Sequence, residues 1–133
     1  MLPSDVSVCQ HRCGVRSFGL TLGLRPGAAD AYRAYHAAPW PEVVAHMGRI
    51  GIRRMAIFLT GEDRLLMYLE TDDGFEAPND FARLSEDART REWGDLMAAL
   101  QRPAPEADGE AGWLRIEKVF DFDREQGKPL TAR

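Results

Sequence analysis

Tyr32 and His36 stand four residues apart in an alanine-rich stretch that runs from Ala28 to His36. At the pitch of an α-helix this spacing puts both side chains on one face. An imidazole titrates near neutrality and can take or give a proton; a phenol does so more weakly, or simply orients a hydroxyl. Trp40 follows after about one more turn, and Trp93 lies far along the chain. Indoles present flat apolar faces of the kind on which sugar rings pack. A proton-handling pair flanked by indoles suits chemistry on a carbohydrate. The same residues also make ordinary packing neighbours, and Trp40, held between Pro39 and Pro41, serves equally well as a plug in the core.

The elements that must position these residues follow from periodicity. From Arg16, Phe18, Leu20, Leu22 and Leu24 alternate with small residues, which is a strand. Gly19 and Gly23 on its small face leave room for close approach, most simply by a core helix. Arg25-Pro26-Gly27 ends the strand, and a helix follows to His36. Pro41 cannot sit in a helix interior but starts one well, and Val43, Val44, Met47 and Ile50 then give helical spacing. The result is a helical arm broken at Pro39-Trp40-Pro41. Gly51 stops it. Arg53 to Leu59 and Leu65 to Glu70 form a hairpin about Gly61-Glu62-Asp63. Phe75 to Leu84 and Thr90 to Leu100 read as helical, Pro103 to Gly112 as a loop, and Trp113 to Phe122 as a fourth strand.

The order β-α-β-β-α-β is that of a ferredoxin-like α+β fold: an antiparallel four-stranded sheet with helices on one face. Its domain spans residues 15–123, with an N-terminal extension over 1–14 and a polar tail over 124–133. The strands carry apolar residues on both faces, so the face without helices needs a cover. A homodimer formed sheet to sheet is the economical solution.

Length and composition bound the rest. One domain is expected from 133 residues, 44% of them hydrophobic. A net charge of −4 gives no basic footprint for nucleic acid. No apolar run reaches the roughly 20 residues of a membrane span, and residues 1–14 lack the apolar core of a signal peptide. A cytoplasmic protein is the expectation. Cys9, His11 and Cys13 form a Cys-x-His-x-Cys cluster, but a closed zinc site wants a fourth ligand and none lies nearby, so no metal is expected. His46 reads as solvent-facing. Arg16 and Arg115 lie on strands from which they could reach a pocket, and Glu42 sits in a first helical turn, where a carboxylate suits the helix dipole.

The stretch Tyr32-Arg-Ala-Tyr-His36-Ala-Ala-Pro-Trp40-Pro41-Glu42 resembles the Y-x-x-x-H-x-x-x-W-P-E segment of the L-rhamnose mutarotase family. The likeness continues through Ile52 to Leu59, Leu65 to Glu70, Arg89 to Trp93 and Glu117 to Phe120. It implies dimers of ferredoxin-like subunits, a dimeric α/β-barrel, that interconvert the α and β anomers of L-rhamnose without a metal or organic cofactor. On this resemblance His36 and Tyr32 are the catalytic pair, and Trp93, Trp40 and Met55 face the sugar.

Two positions depart from the family's pattern. A strand tyrosine of the family falls at Met55, whose thioether is a poor partner for a sugar hydroxyl. Paired tryptophans on the last helix appear here as Trp93-Gly94. A roomier pocket and a substrate such as L-fucose or another 6-deoxy sugar follow from these changes, with Tyr35 or Tyr68 as replacement hydroxyls. Two other readings stay open: a sugar-binding relative without turnover, and another dimeric α/β-barrel enzyme such as a cofactor-free or haem-handling oxygenase.

Overall fold

The computed structural model describes residues 14–124 and the backbone of the short strand at 128–129. The Cys9/His11/Cys13 cluster lies outside the described residues.

Strand β1 is Val15–Leu24, followed by helices α1 (Ala29–Ala37) and α2 (Pro41–Arg49). Strands β2 (Ile52–Thr60) and β3 (Arg64–Asp72) form the expected hairpin, turning through Gly61 and Glu62, both at positive φ. A 3-10 helix over Asn79–Glu86 leads into α3 (Ala88–Leu100). Short strands β4 (Gln101–Arg102), β5 (Leu114–Ile116), β6 (Phe122–Asp123) and β7 (Lys128–Pro129) complete the chain.

The main sheet runs β2-β3-β1, and both β4 and β5 pair with the far edge of β1; every pairing is antiparallel. This is the ferredoxin-like arrangement, with one edge built from two pieces. β4 pairs with Gly23 and Leu24, β5 with Gly19 to Thr21, and the chain makes an excursion between them.

Alternation decides what each face buries. Phe18, Leu20 and Leu22 of β1 stand in register with Leu69, Met67 and Leu65 of β3, and all six are buried, as is Leu24 beyond them. Met55, Ile57 and Leu59 of β2 pair with the same β3 residues and share that face. Two adjoining clusters form over it. One gathers Phe18, Leu20, Ile50, Ile52, Met67, Leu69 and Phe75. The other gathers Leu22, Leu24, Tyr32, Val43, Leu65, Trp93 and Met97, so it closes the helices onto the sheet.

The opposite face carries Ser17, Gly19, Thr21 and Gly23 from β1, Leu66 and Tyr68 from β3, Ala56 and Phe58 from β2, and Leu114 and Ile116 from β5. The helices lie on the other side, which corrects the expectation that a helix covers the glycines. What approaches them is the edge strand. A Cβ at Gly19 would meet Ile116 at 3.3 Å, and one at Gly23 would meet the Arg102 carbonyl at 3.0 Å.

Four further expectations are corrected. The segment read as helical from Phe75 instead winds as a 3-10 helix beginning at Asn79, beyond a cis Ala77-Pro78 bond. The fourth strand stops at Ile116 although alternation continues to Phe122. Past it, Lys118 stays in step with β1, its Nζ donating to Ser17 Oγ at 2.6 Å and to Asp121 at 3.0 Å, while the backbone pairing has ended. His46 is buried, 7% exposed, because its Nε2 meets the Arg83 carbonyl at 3.0 Å and ties α2 to the 3-10 helix. The segment read as a polar tail contains β7, whose backbone pairs with β6.

Candidate active site

The site is built on α1. Alanines at 29, 31, 34 and 37 favour the helix, Asp30 lies in its first turn, and His36 in its last, where its polarity suits the carbonyl end. Tyr32 is buried, 5% exposed, in the cluster that joins the helices to the sheet. His36, one turn on, is exposed. The two rings stack with centroids 4.2 Å apart and planes 27° apart. The expected shared face is therefore real, with the phenol inside and the imidazole outside.

His36 Nδ1 lies 2.9 Å from the Tyr32 carbonyl oxygen. A carbonyl only accepts, so this bond is made when Nδ1 carries the hydrogen. The basic lone pair of the neutral ring is then on Nε2. Helix backbone and a stacked ring together fix which nitrogen can do acid–base work.

Burial pushes the Tyr32 phenol up to about 12, against a smaller opposing pull from the Gln101 side chain. Near neutral pH Tyr32 keeps its proton: it can donate but cannot act as a base.

The break after α1 places Trp40. It is extended, at φ −70° and ψ 129°, and caps α2, with Pro41 as the first helical residue. Trp93 comes from α3, whose start is fixed by Asp87. That carboxylate accepts from the Thr90 backbone N–H at 2.9 Å and from its hydroxyl at 3.0 Å, which holds its pKa below the usual carboxylate range. Trp93 is the hub. Its indole meets Tyr35, His36 and Trp40 edge-on, at 5.8, 5.5 and 5.2 Å between centroids.

The structure thus brings together Tyr32, His36, Trp40 and Trp93 from the positions singled out in the sequence. Met55 is not among them; it packs against the neighbouring cluster with Phe18 and Leu69. Gly94 is exposed, and a Cβ there would meet nothing within 4 Å, so the space beside Trp93 is open. Tyr68 lies on the opposite face of the sheet and donates its hydroxyl to Glu70. Arg16 and Arg115 both bind Glu76 and close over Phe18, so they clamp the loop at Glu76.

Sequence reasoning passed over Arg89. Its guanidinium lies 3.6 Å from the Trp40 ring centroid, with Glu92 at 3.1 Å and Glu42 at 4.0 Å. Only the fold brings Arg89 and Trp40 together, so no local pattern announces the contact. Asp87, three residues before Thr90, did have a local signal, that of a helix N-cap.

Among the described residues no cluster of His, Cys, Asp and Glu could hold a metal ion. None of their helices is long and apolar enough to cross a membrane. A shallow cleft of about 260 Å³ lies away from His36, between β1 at Ser17–Gly19 and the chain at Arg115–Lys118.

Comparison with known proteins agrees with the motif on α1. The family model described as L-rhamnose mutarotase matches residues 17–122. A UPF0734 protein of Dictyostelium discoideum is 32% identical over 84% of this chain and 93% of its own length. A protein of Xanthomonas campestris named L-fucose mutarotase is 31% identical over 67% of this chain and 72% of its own. The crystal structure of an L-rhamnose mutarotase from Formosa agariphila superposes with a TM-score of 0.62 at 21% identity, covering 81% of this chain and 99% of that one, and shares the fold. With the Tyr32/His36 pair, the Trp40-Pro41-Glu42 turn and the antiparallel ferredoxin-like sheet in place, the chain belongs to the L-rhamnose mutarotase family.

Proposed function

We propose that His36 is the acid–base group of a sugar mutarotase that interconverts the anomers of a 6-deoxy-L-sugar, L-rhamnose or L-fucose. Membership of the family makes the protein an isomerase of this type. The choice of sugar rests on the family description, which names L-rhamnose, and on the Xanthomonas relative named for L-fucose.

The observation that carries the assignment is the fixed imidazole: Nδ1 is tied to the Tyr32 carbonyl, and Nε2 is left on an exposed ring. Nε2 takes the proton of the anomeric hydroxyl while a solvent water gives one to the ring oxygen. The C1–O5 bond breaks, and the open-chain aldehyde forms. Rotation about C1–C2 presents the other face of the carbonyl. O5 attacks it and gives its proton back to solvent water, and the imidazolium returns a proton to O1. Tyr32 positions the imidazole by stacking, and its hydroxyl, protonated near neutral pH, serves only as a hydrogen-bond donor. Trp93 supports His36 from the side, and Trp40 supports Trp93.

The measurement is exchange NMR of the two anomers of L-rhamnose and L-fucose. His36→Ala is expected to lower the catalysed exchange by about 100-fold or more. Unchanged exchange in that variant removes His36 from the chemistry. No acceleration of either sugar by the unmodified protein removes the substrate assignment.

The assembly proposed with this activity is a cytoplasmic homodimer joined through the helix-free face of the sheet. Phe58, Leu66, Tyr68 and Ile116 are exposed there, and Val119, Phe120 and Phe122 follow on the departing chain. Exposed apolar groups at that density mark an interface.

A further inference from the structure

We infer that Arg89 is a positioning residue for His36: by gripping Trp40 it fixes the end of α1 from which the imidazole projects. For its kinetic effect the inference rests on the mutarotase reading, to which it adds a residue that acts through another.

The last turn of α1 has two anchors. Tyr32, buried one turn before His36, stacks on the imidazole with centroids 4.2 Å apart. From His36 to Pro39 every residue is exposed, and Trp40 is the first half-buried side chain after the imidazole. It packs at the margin of the cluster that holds Tyr32 and Trp93. Whatever holds Trp40 therefore limits how far the exposed end of α1 can move, and His36 with it.

Trp40 is held from one helix. Arg89 and Trp93 stand four residues apart on α3 and share a face. The Arg89 guanidinium lies 3.6 Å from the Trp40 ring centroid, and the Trp93 ring lies 5.2 Å from it at 72°. Trp93 in turn meets the His36 ring at 5.5 Å. Glu92 at 3.1 Å and Glu42 at 4.0 Å flank the guanidinium, and Glu42 lies in the first turn of α2, so one cation ties the break between α1 and α2 to α3.

Local rules do not explain an arginine at this position. It is the second residue of α3, in a first turn without Asp or Glu beyond the cap at Asp87, where a cation opposes the helix dipole. What favours it there is the Trp40 ring and two carboxylates, one of them from another helix. A local rule broken beside a site marks a residue whose contacts outweigh its propensity.

The test compares the full chain with Arg89→Met, Arg89→Lys and Arg91→Met. Arg91 lies on the same helix and bonds the Ser85 carbonyl at 2.7 Å, so its variant reports what losing a neighbouring arginine does to α3 alone. Exchange NMR at increasing L-rhamnose or L-fucose gives kcat and KM, and heteronuclear NMR through the ring protons reads the two nitrogens of His36. Arg89→Met keeps an unbranched stem and loses the cation. It is expected to lower kcat roughly 3- to 10-fold with KM within about twofold, and to move the two nitrogen signals toward one another as the Nδ1 bond to the Tyr32 carbonyl loosens. Arg89→Lys keeps a cation for the ring and is expected to recover most of that loss. Arg91→Met is expected to stay within about twofold of the unmodified protein in kcat, with the His36 signals unmoved. An unchanged kcat or unmoved His36 signals in Arg89→Met overturn the inference, and so does an equal loss in Arg91→Met or in Arg89→Lys; each leaves the mutarotase reading standing. No anomer exchange by the unmodified protein removes the mutarotase reading, and the His36 signals of Arg89→Met then decide the positioning by themselves.

Discussion

Tyr32 shows how one residue can serve a site by what it does not do. Its phenol ordinarily ionises near 10, and burial moves it to about 12. A group whose folded pKa is raised contributes stability in full below the unfolded value and loses it as pH climbs through the folded one. Here the window runs from about pH 10 to about pH 12, and two units correspond to roughly 2 to 3 kcal/mol. Absorbance titration near 295 nm is expected to show one late tyrosine step, and the urea midpoint is expected to fall across that interval. In Tyr32→Phe the late step should disappear. A protein whose three tyrosines all titrate together near pH 10 contradicts this account.

At the scale of elements, α3 is held by its first residues. Asp87 caps it through Thr90, and the side chains that α3 delivers, Arg89 and Trp93, order Trp40, Tyr35 and His36. Asp87→Ala is expected to lower the melting temperature and to speed hydrogen exchange in the first turn of α3. Because Asp87 has a depressed pKa, its contribution is present above the ordinary carboxylate value near 4 and is lost as pH falls through the folded value. The low-pH loss of stability should therefore be shallower in Asp87→Ala than in the unmodified chain. The helix and hairpin pattern was legible because it depends on local spacing: Tyr32 and His36 do share a face, and β1, β2 and β3 fall where alternation puts them. The end of β5 was not legible. Leu114 to Phe122 alternates throughout, but backbone pairing with β1 ends at Ile116, and alternation holds no record of where a partner strand lets go. His46 misled for the same reason, since its partner carbonyl on Arg83 comes from another element. The burial of Trp93 and the capture of Trp40 by Arg89 likewise depend on how α3 docks, and a linear pattern holds no record of that.

For the molecule as a whole, the two faces of the sheet divide the work. The helix-bearing face closes on the residues of the site, and the bare face presents Phe58, Leu66, Tyr68 and Ile116 in adjacent registers. Val119 and Phe120 stand 84% and 68% exposed beyond them, which is far more than a soluble surface spends on such residues without a partner. Light scattering coupled to size exclusion is expected to give twice the chain mass. Phe58→Glu sets a carboxylate in the middle of that face and is expected to shift the protein to the monomer at micromolar concentration. A monomeric mass for the unmodified chain contradicts the sheet-to-sheet assembly. The same alternation that hid residue contacts made this surface readable in advance, because strands apolar on both faces need cover on both.

The edge built from β4 and β5 has a consequence for how this chain can change length. The backbone leaves β1 after Arg102 and rejoins it at Leu114, and each landing point is pinned by its own register with Gly23–Leu24 and Gly19–Thr21. Between them the chain crosses a turn at Asp108 and Gly109, both at positive φ and exposed. Loop closure grows only slowly more costly with added residues. An insertion at the exposed Asp108–Gly109 turn is therefore expected to leave both registers in place. That turn is the natural splice point of the fold, where a reporter peptide or a binding loop can be grafted.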